Sequence, residues 1–102
     1  MPAYEAMFIF KPEINEQEEK LLVTELEKLL KENQANIENS QAYGRRQLAY
    51  PINKCSEGIY YLINFSTASS DAVPRLKHAC KINERILRAL VTRTASKEEK
   101  NG

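Results

Sequence analysis

The sequence predicts an α+β fold in which four strands form one antiparallel sheet and two helices cover a single face. Three observations carry this prediction. Four runs are dense in aromatic, aliphatic and β-branched residues, two stretches repeat apolar residues at helical spacing, and the six segments follow in the order βαββαβ. That order is the split βαβ, or ferredoxin-like, plan. Right-handed, non-crossing connections then make strands one and three central and strands two and four the edges.

Tyr4 to Phe10, "YEAMFIF", is the first strand, stopped by "KPE". Asn15 can cap a helix, with Glu18 three positions on to complete a capping box and acids in the first turn to suit the helix dipole. Leu22, Leu26, Leu29 and Leu30 then repeat at helical spacing, which predicts helix one over Glu16 to Glu32. Ile37 to Ile52 reads as a long second strand with a bulge near Gly44, "NKCSEG" as a loop, and Ile59 to Phe65, "IYYLINF", as the third strand. Ser69 or Ser70 is expected to cap a second helix whose apolar stripe is Val73, Leu76, Ala79 and Cys80. Pro74 is tolerated there because it falls in the first turn. Glu84 to Arg93 is the fourth strand, so residues 1–93 form the domain and 94–102 a polar tail expected to be mobile.

With both helices on one side, alternation assigns Ala6, Phe8, Phe10, Tyr61, Ile63, Phe65, Leu87, Ala89 and Val91 to the core. The opposite face then carries Glu5, Met7, Ile9, Tyr60, Leu62, Asn64, Arg88 and Leu90, with no element left to cover it. Met7, Ile9, Leu62 and Leu90 are therefore expected to be exposed and to meet a protein partner.

A chain of 102 residues supports one core and excludes a cleft between two domains. Its apolar runs are far shorter than a membrane span, and its start has no cleavage pattern, so a cytoplasmic protein is expected. The net charge of +1 hides an asymmetry: Met1 to Ser40 sums to −5, whereas Gln41 to Lys97 sums to +7. A basic half beside an acidic one is expected to touch a polyanion. Cys55 and Cys80 lack metal-ligand spacing; Cys80 falls on an apolar helix face and Cys55 in a polar loop, so no disulfide is expected. His78 stands alone among Arg75, Lys77 and Lys81, and no phosphate loop, metal cluster or nucleophile with a base is legible. No catalysis, cofactor, metal or small-molecule substrate is expected.

The most specific segment is "YGRRQLAYPINK". An edge strand tolerates Pro51, and Arg45 and Arg46 would guard it against pairing with another chain. The stretch also resembles the signature of bacterial small-subunit ribosomal protein six: glycine, any residue, basic, polar, leucine, small, tyrosine, any residue, isoleucine. Gly44, Arg45, Arg46, Gln47, Leu48, Ala49, Tyr50, Pro51 and Ile52 fill it in order, and the similarity extends from "YEAMFIFKPE" through "GIYYLINF" to "LRALVTR". The resemblance implies a ferredoxin-like, non-catalytic protein that binds 16S ribosomal RNA in the central domain of the 30S subunit jointly with ribosomal protein eighteen. On that reading Arg45, Arg46, Lys54, Arg88 and Arg93 contact phosphates, Tyr4 or Tyr60 stacks on a base or packs against the partner, and Tyr50 joins the partner interface.

Two other readings use the same plan. A free-standing RNA-recognition domain would carry basic, aromatic, small and aromatic residues where "EGIYYLIN" has Glu57, Ile59, Tyr60 and Asn64. An acylphosphatase-like enzyme would need an anion-cradling loop where "KPEINEQ" offers acids. Neither fits as well as the ribosomal signature.

Overall fold

The computed structural model describes residues 1–94. The elements are β1 (Ala3–Phe10), α1 (Glu16–Glu32), β2 (Asn36–Ile52), β3 (Cys55–Ser66), α2 (Ala72–Lys81) and β4 (Ile86–Thr94). The strands lie in the order β2-β3-β1-β4, all antiparallel, so the expected topology is the observed one. Thr94 belongs to β4 rather than to the tail; the rest of that tail lies outside the described residues.

α1 begins as its sequence dictates. Glu18 N donates to Asn15 Oδ1 at 2.8 Å and Asn15 N donates to Glu18 Oε1 at 3.1 Å, so two otherwise orphaned donors satisfy each other's residues. It ends in a Schellman turn: Ala35 N donates to Leu30 O at 2.9 Å and Gln34 N to Lys31 O at 3.1 Å, with Gln34 in the left-handed region at φ 67°. Leu22, Val23, Leu26 and Leu30 from α1 and Leu76 and Cys80 from α2 join Ala6, Phe8, Phe10, Ile63 and Phe65 in one core. Each fully buried Leu or Phe contributes roughly 1.5–3 kcal/mol, and this is the main force holding both helices to the same face. Burial pushes the Cys80 thiol up to about 11, so it remains protonated and unreactive at neutral pH.

Three local expectations are corrected. Cys55 to Gly58 belong to β3, not to a loop, because Asn53 and Lys54 make the whole turn in two residues, with φ of 47° and 67°. Positive φ at both positions is the I′ geometry that matches strand twist. The cap of α2 is Asp71, whose side chain caps nothing; Ser69 instead accepts from Asp71 N at 3.2 Å, and Thr67 Oγ1 accepts from Ser69 N at 3.0 Å. Finally, Ile86 rather than Leu87 enters the core. The β1–β4 register slips between Ile9 and Phe10, so Ile9 faces Arg88 but Phe10 faces Ile86, and the extra residue reverses the alternation.

Gln34 holds the left-handed position at the end of α1, where glycine meets no steric penalty. Gln34→Gly is expected to raise stability by about 0.5–1 kcal/mol. An increase in the urea midpoint at constant slope checks this; a decrease would show that the Gln34 side chain contributes more than its backbone costs.

Candidate RNA and partner interface

The strands differ in length, and this difference builds the site. Phe10 opposite Ile59 is the last pair between β1 and β3. Beyond it, Arg46 to Ile52 of β2 and Cys55 to Gly58 of β3 have only each other, so they form a two-stranded arm that extends past the sheet. Nearly all of the ribosomal signature lies on this arm.

At the base of the arm the chain needs a glycine. A Cβ on Gly58 would collide with Cγ2 of Ile9, lie 3.4 Å from Phe10 O, and sit 3.6 Å from Cδ2 of Leu48. The Ile9 methyl thus occupies the space above Gly58, with Leu48 beside it. Further out, the β2–β3 register slips again between Gln47 and Ile52, and Pro51 falls in that irregular stretch, where its missing N–H removes no regular ladder bond.

Pairing across the sheet defines the rows on the face away from the helices. One row is Gln41, Leu62, Met7 and Leu90; the next is Gly44, Tyr60, Ile9 and Arg88; Arg46 follows, opposite Gly58. Arg46 and Arg88 therefore share a face with Tyr60. Arg46 Nε donates to Tyr43 O at 3.4 Å, and its guanidinium carbon lies 5.9 Å from the Tyr43 ring centroid, so a tyrosine that sequence reasoning passed over steers this arginine. Tyr43 is the extra residue where the register slips between Ala42 and Gly44, and only the expected bulge hinted at its role.

The remaining site residues divide. Arg45 opposes Ile59 at the base of the arm, on the face opposite Arg46, and pairs with Glu57 at 3.4 Å, both largely exposed, a contact of little energetic weight. Lys54 is at the tip of the arm in the left-handed region. Tyr4 and Arg93 do not join the open face: they share a row with Ile37 and Phe65 on the helix side. The Tyr4 ring stacks on Phe65 with centroids 5.4 Å apart and packs against the core, so it offers no platform to a base.

The expected broad apolar face is also corrected. Ile9 is 6% exposed and Leu62 is 5%, covered by the chain's own side chains, while Met7 and Tyr60 are half-buried. Leu90 at 53% and Tyr50 at 65% are the large apolar groups that remain open among the predicted partner residues. Alternation located the face but not how far neighbours on a twisted sheet close over it. Among the described residues, Arg46, Arg88 and Lys54 have no acid within ion-pair distance, and no group of metal-ligating side chains occurs.

These features describe a small ferredoxin-like domain with cations on its arm and open face that have no acid partner among the described residues. Comparison with known proteins gives its family. Residues 3–93 match the family model described as ribosomal protein S6. The chain is 40% identical to small ribosomal subunit protein bS6 of Caldanaerobacter subterraneus over 94 residues, which span 92% of this chain and 98% of that one. It is 39% identical, with the same coverage, to the bS6 protein of Thermoanaerobacter pseudethanolicus. The crystal structure of 30S ribosomal protein S6 from Thermotoga maritima superimposes with a TM-score of 0.89 at 30% identity, covering 98% of this chain and 94% of that one. The chain belongs to the ribosomal protein S6 family, and it is a structural, non-enzymatic component of the small ribosomal subunit.

Gly58→Ala is expected to destabilise the domain by about 1–3 kcal/mol, because Ile9 must leave its seat or the arm must shift. Ile9→Ala in the same chain should recover part of that loss. Urea unfolding of both variants checks it, and a neutral Gly58→Ala would remove the steric argument.

Proposed function

We propose that this chain binds 16S ribosomal RNA in the central domain of the 30S subunit together with ribosomal protein eighteen, within the bacterial cytoplasm. The observation that carries this reading is the placement of Arg46, Arg88 and Lys54, without acidic partners, along the open face and its arm in a chain of this family. Unpaired cations at the surface bind phosphates and release condensed counterions. Arg45 adds a phosphate contact at little cost, since its bond to Glu57 is exposed and exchangeable. Leu90 and Tyr50, exposed beside these cations, supply apolar anchors for the protein partner, with half-buried Met7 at the rim.

A net charge of +1 does not oppose this function. Local cations set the contacts, and a second protein can supply further electrostatic attraction.

Titration of a central-domain 16S RNA fragment across a salt series, with and without ribosomal protein eighteen, tests the proposal. Tight binding is expected only with the partner present, and Arg88→Ala should lower the salt slope by about one counterion. Binding to unrelated RNA with equal strength, or indifference to the partner, would contradict it. Lys54→Gly separates fold from function: removing a side chain from a left-handed position should raise stability by up to about 1 kcal/mol while lowering the salt slope by about one. Unchanged RNA binding by this variant would exclude Lys54 from the interface.

A further inference from the structure

Tyr60 is bordered on the open face by two glycines, Gly44 across the β2–β3 ladder and Gly58 along its own strand. The two are not equivalent. The space above Gly58 is filled by Ile9, with Leu48 beside it, so that glycine serves packing. At Gly44 a Cβ would meet nothing within 4 Å. The usual structural use of a glycine opposite an aromatic residue is to let the ring lie across it and shield the backbone. Here no atom of Tyr60 comes within 4 Å of that Cβ position, so the place of the missing side chain stays an open notch at the sheet edge.

The surroundings of the notch have one chemical character. Its row continues through Ile9 to Arg88, the neighbouring row carries Arg46, and the bulged Tyr43 holds that guanidinium in place. Glu57, three residues from Tyr60 along β3, pairs with Arg45 on the other face, and the nearest acid on the open face, Glu5, lies two rows away with Asn39, Asn64 and Thr92. A half-buried aromatic ring with an empty space beside it, and arginines on both sides, fits a planar group that carries a phosphate.

We infer that the notch over Gly44 receives one unpaired nucleotide of the bound RNA, its base against the Tyr60 ring and its flanking phosphates on Arg46 and Arg88. This deepens the proposed function and rests on it. Stacking is tolerant of base identity, so the site selects an unpaired nucleotide rather than a particular sequence. Gly44, at φ 81°, is then required twice: a side chain there would be strained and would fill the notch.

The test is titration of the central-domain 16S RNA fragment, with ribosomal protein eighteen present, by the wild-type chain, Tyr60→Phe, Tyr60→Leu and Gly44→Asn. Asparagine tolerates the left-handed region, and a thermal melt of each variant confirms folding. Tyr60→Phe should bind like wild type. Tyr60→Leu and Gly44→Asn should each bind roughly 5- to 150-fold more weakly, the loss of one base stack, with an unchanged salt slope. Wild-type affinity in folded Tyr60→Leu and Gly44→Asn would overturn the notch while leaving RNA binding intact. A wild-type chain that fails to bind the RNA would overturn both this inference and the function on which it rests.

Discussion

The contact on which the rest of the molecule depends is the Ile9 side chain seated over Gly58. β1 has eight residues, whereas β2 has seventeen and β3 twelve, so the sheet must end while the hairpin continues. A two-stranded ribbon is only marginally stable in water. Ile9 and Leu48 extend apolar packing one step past the end of the three-stranded region and anchor the ribbon there. Without that seat, Arg46 and Lys54 would hang from a loose hairpin. With it, Arg46 keeps a fixed relation to Tyr60 and Arg88 on the sheet.

Much of the remaining architecture frees the open face for binding. The core is one-sided: Phe8, Phe10, Phe65, Leu22, Leu30 and Leu76 are fully buried between the sheet and the helices. Polar clamps reinforce the same side. Ser40 Oγ donates to Glu27 Oε2 at 2.7 Å and lies 2.7 Å from the Tyr61 hydroxyl, while the Thr67 hydroxyl donates to Gln34 O at 3.1 Å. Those bonds tie α1 to the sheet and its flanking loops, so most of the packing lies on the helix side, and the open face adds mainly the buried Ile9 and Leu62. Surface cations can therefore remain uncompensated, a condition that costs little in water and favours a polyanion.

The sequence made the order of elements legible because each rests on a local, redundant signal. Asn15 and Glu18 announce the start of α1, the leucine spacing its face, and Pro74 the first turn of α2. The signature from Gly44 to Ile52 is contiguous in sequence, so the family is legible in it without any geometry. What remained hidden depends on single-residue slips and on neighbours distant in sequence. One extra residue opposite Ile9 and Phe10 exchanged Leu87 for Ile86. A two-residue turn of Asn53 and Lys54, lacking the usual glycine, passed for a longer loop. Alternation with Ala6 and Phe8 already puts Tyr4 on the helix side, against its expected role in stacking on a base or packing on the partner. Burial of Ile9 and Leu62 on the nominally open face could not be read from alternation, which gives direction but not coverage.

Past the Ile9–Gly58 seat, Gln47 to Ile52 and Cys55 to Glu57 have no third strand beside them, so this outer part of the arm is expected to open more readily than the core in the free protein and to be fixed when its cations meet RNA. Amide hydrogen exchange across 46–58, compared between the free chain and the chain mixed with central-domain RNA and ribosomal protein eighteen, measures this opening. Fast exchange is expected in the free outer arm next to a slow core at Phe8 and Ile63, with strong protection of the arm in the complex. An arm as protected as the core when free, or one that exchanges as fast in the complex as out of it, would contradict the claim.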